Sequence, residues 1–228
     1  EAERHITQPA SSTPTVAGDP DPAQYRSLID DSRELTLNGT WSSGLGKDGM
    51  DGSVSLNGAF TQSDSRALLG LDTVRLVAPD GESAIRSLDD PMERRRRTRT
   101  TQAGVTFNKP VGSWQLSATL DGSYIDTRTR IDREVDTDTL VEAAAAGLLP
   151  VTGMLPALPD AGLDRTRSKD LALASLVTLN GTPFRLPAGD ATLTLRGGFD
   201  YDHSRNQDTR GTGDSTRLKR GDASAGFN

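Results

Sequence analysis

The sequence predicts an all-β chain: an antiparallel up-and-down meander of about seven or eight strands, forming part of a transmembrane β-barrel. Three observations lead there. Apolar and polar residues alternate with period two through most of the chain after Glu34. Aromatic residues fall at the ends of the alternating runs. Short Pro/Gly turns alternate with long polar connections. Composition agrees: of 228 residues, 33% are hydrophobic, 4% aromatic and 25% charged, with 23 Gly and 12 Pro. Large apolar side chains are too few to fill a conventional soluble core of this size, so a compact helical enzyme is not expected. The net charge of -6 and pI near 5.0 oppose general nucleic-acid binding. Without cysteine there is no disulfide framework, thiolate metal site or Cys nucleophile. No apolar run approaches the roughly 18 residues of a membrane helix. The opening Glu1-Ala2-Glu3-Arg4 lacks an apolar stretch and an initiator Met, so it reads as a mature or excised start rather than a signal peptide.

Residues 1–33 read as a linker or poorly ordered segment, broken by Pro9, Pro14, Pro20 and Pro22, with room for one helical turn near Tyr25–Asp30. Residues 34–228 read as the barrel segment. Leu35, Leu37 and Trp41 share one face against Thr36, Asn38 and Thr40. After the turn-rich stretch 42–52, Val54, Leu56 and Phe60 share a face against Ser53, Ser55 and Asn57, which completes a hairpin. Residues 66–77 form a less regular third strand, followed by a polar outer loop at 78–93 and Arg94–Arg97. In the next strand Ala103, Val105 and Phe107 oppose Gln102, Gly104 and Thr106. The turn at 108–113 leads to the clearest alternation of the chain, with Trp114, Leu116, Ala118, Leu120, Gly122 and Tyr124 on one face. A long outer loop at 134–168 holds a short helix over 140–146 and then Pro150, Pro156 and Pro159. Strands at 171–179, 191–201 and 217–227 follow, separated by a turn at 181–190 and an outer loop at 204–215. The stop at Phe227-Asn228 falls where the pattern would place another turn, and reads as truncation.

Alternation alone also fits a soluble antiparallel sheet with one wet face. The aromatics favour the membrane. Trp114 and Tyr124 stand ten residues apart on one face. At ~3.3 Å per residue and a tilt of roughly 40° they span about 25 Å, the height of the apolar band of an outer-membrane barrel. Trp41, Phe60, Trp114, Tyr124, Phe199 and Tyr201 are the expected membrane-interface aromatics.

Two stretches, Asp31-Ser32-Arg33-Glu34-Leu35-Thr36-Leu37-Asn38-Gly39 and Ser63-Asp64-Ser65-Arg66-Ala67-Leu68-Leu69-Gly70-Leu71, resemble TonB-dependent outer-membrane receptors of Gram-negative proteobacteria. So does the hairpin 179–201, with Leu186-Pro187-Ala188-Gly189-Asp190 and Leu193-Thr194-Leu195-Arg196-Gly197-Gly198-Phe199-Asp200-Tyr201. The resemblance covers about 31–228 and is one of style. It implies a middle section of a 22-stranded barrel in the bacterial outer membrane, with a plug segment and TonB box not found in this chain. It implies energised uptake of a scarce ligand such as a siderophore, metal chelate or oligosaccharide. Partners would be membrane lipid or lipopolysaccharide, the TonB system through the missing plug, and an unknown small ligand, with no nucleic acid. Two rivals stay open: a soluble secreted β-sheet binding module, and a passive porin or autotransporter-type barrel.

Few motifs carry chemistry. Gly44-Leu45-Gly46-Lys47-Asp48-Gly49 spells a dinucleotide fingerprint but precedes a strand rather than a helix, so it reads as a hairpin loop. Arg94, Arg95, Arg96 and Arg97 form the densest positive cluster. They read either as a solvated face or as contacts to lipopolysaccharide phosphates or an anionic ligand. Asp200, Asp202, His203, Asp208 and Asp214 read as polar lumen and loop residues rather than a cation site, and Asp132, Asp136 and Asp138 lack the pattern of a calcium loop. With His5 and His203 the only histidines, no catalytic constellation is expected, nor any cofactor or metal. Arg220-Gly221-Asp222 and the sequons at Asn38 and Asn180 read as strand and turn residues. If ligand is bound, the insertion 134–168 is the first place expected to recognise it.

Overall fold

The computed structural model describes residues 14–186, 189–209, 211 and 215–227. It is all-β, a single antiparallel up-and-down meander. The strands are β1 (Asp31–Gly44), β2 (Ser53–Val77), β3 (Ser83–Val111), β4 (Trp114–Asp132), β5 (Leu163–Leu186), β6 (Gly189–Asp208) and β7 (Ser215–Phe227). They pair in chain order, with β1 and β7 at the two ends. One helix, α1 (Asp138–Ala145), and one 3-10 turn (Pro22–Tyr25) complete the described elements. The chain divides into two units. Unit 1 comprises Glu1–Arg33, Asp64–Arg97 and Arg128–Thr166; unit 2 comprises Glu34–Ser63, Thr98–Thr127 and Arg167–Asn228.

Unit 2 is built from period-two strands. Two cross-strand pairs fix the polar face: Thr36 and Thr61 hydroxyls lie 3.4 Å apart, as do those of Thr98 and Thr127. On the opposite face Arg99 Nε donates to Gln62 Oε1 at 3.0 Å. The β6–β7 register sets Leu195 opposite Ala225, Phe199 opposite Gly221 and Asp200 opposite Arg220. Turns at one end are tight. β3 passes to β4 through Gly112-Ser113 alone, with Gly112 at φ 63°, a conformation that suits a two-residue hairpin. The G-x-G-x-x-G run is a hairpin loop between β1 and β2, closed by Leu45 N–H to Gly52 O at 2.9 Å. Trp114 lies across β5 at Gly181, where an added Cβ would come 2.5 Å from the indole carbons.

Unit 1 holds the apolar core. Val74, Leu76, Ala84, Leu140, Ala144 and Val151 cluster, with Val16, Leu88, Leu149 and Leu155 packed around them. α1 is only eight residues, too short to persist alone. An alanine-rich run favours it, Gly147 at φ 71° ends it, and burial of Leu140 and Ala144 holds it. Leu76, Leu140 and Val151 are fully buried, each worth about 1.5–3 kcal/mol.

Several boundaries differ from expectation. The stretch 78–93 is not a long loop: β2 runs to Val77, β3 starts at Ser83, and the turn is closed by Ala78 N–H to Glu82 O at 2.8 Å. From Ser83 on, its polar residues are strand residues, which composition alone disguises. The "third strand" at 66–77 is the continuation of β2 through Gly70, at φ 120°; the buried side is Ala67 and Leu71 and passes to Val74 and Leu76 beyond Leu71. The insertion 134–168 shortens, because β5 begins at Leu163. In the connection 204–215, strand continues to Asp208 and resumes at Ser215. His5, Pro187, Ala188, Asp214 and Asn228 lie outside the described residues.

Residues 14–30, read as linker, run against unit 1. Thr15 N–H donates to Ile85 O at 3.0 Å, and Ile85 N–H returns a bond to Thr15 Oγ1 at 2.9 Å. Ser27 exchanges bonds with Leu68, its N–H to Leu68 O at 2.9 Å and its Oγ accepting from Leu68 N–H at 3.1 Å. The central contact is Arg86. Its guanidinium donates to Asp19 at 2.7 and 2.9 Å and to the carbonyls of Val151 and Gly153 at 3.1 and 2.7 Å. The two side chains are 5% and 10% exposed. Asp19 also accepts from Ser87 N–H at 3.2 Å.

Replacing Arg86 with Met leaves Asp19 facing the core without its cation. The loss should be about 3–5 kcal/mol of local stability, read as faster amide exchange at Thr15 and Ile85. The Arg86 guanidinium, bonded to the carboxylate, holds Asp19 below its ordinary pKa of 3.8. A depressed carboxyl contributes stability above its unfolded pKa and loses it as pH falls through the folded value. Ser87 exchange protection should therefore persist at pH 5 and be lost only below about pH 4; protection that did not change on acidification would contradict this.

Candidate functional site

In unit 2 the outward feature is an unburied apolar face. Leu35, Leu37 and Trp41 on β1, Leu120 and Tyr124 on β4, and Leu195 and Phe199 on β6 are all exposed, Trp41 by 54% and Leu120 by 52%. Leu116 and Leu193 are half-buried. Of the buried hydrophobic residues among those described, only Ala191 belongs to unit 2. Among the expected interface aromatics, Trp41, Tyr124 and Phe199 are exposed and Phe60, Trp114 and Tyr201 are half-buried. Each holds the parity of its strand's apolar residues.

Unit 2 also carries a groove of about 470 Å³, lined by Asn57, Gln102, Asp121, Asp200, Asp202 and Arg220 together with Ala103, Ala172 and Leu173 among others. Gly104 shapes it: an added Cβ would sit 2.3 Å from Asn57 Oδ1 and 2.6 Å from Asp121 Oδ1. Removing the side chain at 104 lets these two polar tips approach across β3. Asp200 and Asp202 line the groove together, while His203 stands on the alternate face of β6, as alternation requires. No group of three or more His, Cys, Asp or Glu able to hold a metal ion occurs among the described residues.

In unit 1, Arg95, Arg96 and Arg97 line a second cavity of about 560 Å³, with Arg33, Arg66, Arg128 and Arg130. Asp31, Asp64 and Ser65 complete the lining. The four-arginine run is thus divided. Arg94 donates to Asp30 at 3.1 Å instead. Arg95 and Arg66 both pair with Glu93, Arg66 Nη2 donating to Glu93 Oε2 at 3.1 Å, and Arg97 pairs with Asp64. Arg95, and next Arg66, hold the Glu93 carboxyl below its ordinary range against the opposing effect of burial. Sequence reading located Arg95–Arg97 but missed Arg33, Arg66, Arg128 and Arg130, which come from three other strands. The missed signal was parity: each sits on the face of its own strand that elsewhere carries Leu, Phe, Trp or Tyr.

The insertion supplies a structured cap to unit 1 through α1 and Val151 rather than an open loop. Leu148 and Met154 project from it, 82% and 92% exposed. Comparison of the chain with protein-family models, with curated proteins and with solved structures finds no match.

Two glycine substitutions separate groove shape from strand packing. Gly104→Ala meets only the mobile ends of Asn57 and Asp121 and should cost under about 1 kcal/mol. Gly181→Ala meets the Trp114 ring at 2.5 Å and Ser113 O at 2.9 Å and should cost about 1–3 kcal/mol. Equal unfolding midpoints for the two variants in denaturant would contradict the packing described.

Proposed function

We propose that this chain is a section of a bacterial outer-membrane β-barrel of the TonB-dependent receptor type, serving uptake of a scarce ligand. The carrying observation is the exposed apolar face of unit 2, where Leu35, Leu37, Trp41, Leu120, Leu195 and Phe199 remain uncovered on an antiparallel meander. In water such a surface would drive aggregation. In a bilayer the same surface is the stable one, because hydrocarbon takes the place of a core. The polar face, with Asn57, Gln102, Asp121 and Asp200 around a groove, suits an aqueous lumen. A resemblance of residues 31–39, 63–71 and 179–201 to TonB-dependent receptors supports the narrower class.

On this reading the chain is not an enzyme. It provides lipid-facing wall, lumen wall and an outer cap, and it partners membrane lipid and a small ligand. Coupling to TonB belongs to a plug segment acting on the barrel. No helix among the described residues is long and apolar enough to cross a membrane, so crossing would be by strands.

The test is the phase the protein prefers. Purified full chain should aggregate in detergent-free buffer and become monodisperse in detergent or in phosphatidylcholine vesicles. Leu120→Arg places a charge in the middle of the apolar stripe of β4 and should lower vesicle-inserted stability by about 2–4 kcal/mol. A monodisperse monomer in plain buffer, indifferent to Leu120→Arg, would sink the membrane reading in favour of a soluble binding module.

A further inference from the structure

We propose that the groove of unit 2 binds a small linear diamine, with one ammonium group at Asp121 and the other at Asp202. The proposal goes beyond the uptake reading above by naming a ligand class and its site. It stands whether or not the sheet meets lipid, because every residue it uses belongs to unit 2.

Charge sets the class. Asp121, Asp200 and Asp202 line the groove against a single cation, Arg220. The β6–β7 register places Arg220 opposite Asp200, whereas Asp202 stands opposite Leu218. The groove carboxylates without an arginine opposite are therefore Asp121 and Asp202, and a ligand with two positive charges balances them.

Register sets the spacing. Arg167 on β5 pairs with Asp126 on β4, and counting back along β4 puts Asp121 opposite Ala172. Ser204 on β6 bonds to Asp170 on β5, and counting on along β5 puts Ala172 opposite Asp202. Asp121 and Asp202 thus flank Ala172 from its two neighbouring strands. Strands lie about 4.8 Å apart, so the two carboxylates stand on the order of 10 Å apart. One metal ion cannot bridge them, since metal–oxygen bonds reach only about 2.6 Å. Two ammonium groups, each ~2.8 Å from its carboxylate, fit with roughly 5–8 Å between them. At about 1.5 Å per C–C bond, the linker is a chain of about three to five methylene groups.

The floor and one end agree with that linker and its head. Ala172 and Ala174 line the groove between the carboxylates, and their methyl groups offer neither donor nor acceptor. Methylenes suit this floor; the hydroxyls of a sugar would gain no hydrogen bond from it. At the Asp121 end, Asn57 Oδ1 and Asp121 Oδ1 converge above Gly104, 2.3 and 2.6 Å from where a Cβ would stand. Two acceptors aimed at one place suit a donor with several hydrogens, and an ammonium group has three.

Titration calorimetry on the full chain in detergent micelles tests this with 1,4-diaminobutane, 1,2-diaminoethane, butylamine and magnesium chloride. 1,4-Diaminobutane should bind at least about tenfold more tightly than butylamine, the factor expected for one charge-assisted contact. 1,2-Diaminoethane, too short to reach both carboxylates, should bind no better than butylamine. D121N and D202N should each bring 1,4-diaminobutane down to the affinity of butylamine. Ala172→Leu, which keeps both carboxylates but fills the floor, should lose about tenfold as well. Asp48→Asn, on the loop between β1 and β2, should leave binding unchanged. The ligand series on the unaltered chain decides the matter even if a variant misfolds. Equal affinity for 1,4-diaminobutane and butylamine, or tighter binding of magnesium than of the diamine, overturns the proposal. So does a loss in D48N as large as that in D121N, which would show diffuse attraction to an acidic chain. Each of these outcomes leaves the membrane reading standing, because that reading is decided by the detergent and vesicle measurements.

Discussion

A β-sheet has two faces, and each must meet something that suits it. That constraint governs unit 2. Its strands alternate apolar and polar side chains, but the described residues place almost no apolar side chain of this unit in a core. Hydrogen bonding between strands satisfies the backbone but does not cover the leucines. Burying one Leu or Phe is worth about 1.5–3 kcal/mol, so a face of exposed Leu, Val, Trp and Phe forgoes many such contributions in water. The composition follows from this. A chain that keeps its apolar side chains on an outer face needs few of them, and 33% is enough.

Unit 1 answers the same constraint differently. Here α1 and the residues after it bring Leu140, Ala144 and Val151 onto Val74, Leu76 and Ala84, and a small closed core forms. Such a core brings backbone groups with it that must be satisfied. Arg86 does this, taking the carbonyls of Val151 and Gly153 and the carboxylate of Asp19 with one guanidinium. A neutral apolar residue could fill the space but would leave those acceptors without donors. One charged side chain in the core therefore fixes the cap and the segment before β1 together.

Much of this was legible in the residues. The strands with strict alternation, such as 114–124 and 191–201, appear where period two places them, and each is longer than the alternation suggested. Extension was hidden where the polar face and the apolar face both become charged: 78–93 reads as a loop because Asp89, Asp90 and Glu93, with the arginines that follow, obscure the period. Pro91 adds to the disguise, since proline argues against a strand interior; β3 nevertheless runs through it. The helix was found from its alanines, but not its packing, which depends on Leu76, far back in the chain on β2. The arginine cavity was half legible. A local run of four is visible to the eye, whereas Arg33, Arg66 and Arg128 converge only when strands are laid side by side in register.

The arginine cavity places a second electrostatic demand on unit 1, of the opposite kind to Arg86. Two like charges about 7 Å apart in an effective dielectric near 20 repel by roughly 2 kcal/mol. A cavity lined by seven arginines and two aspartates is therefore costly in isolation, and solvent screening relieves only part of that cost. Isolated surface pairs such as Arg97–Asp64 offset little of it, being worth about 0–1 kcal/mol. Within unit 1 part of the charge is met on the spot: Glu93 takes both Arg66 and Arg95, and Asp64 takes Arg97.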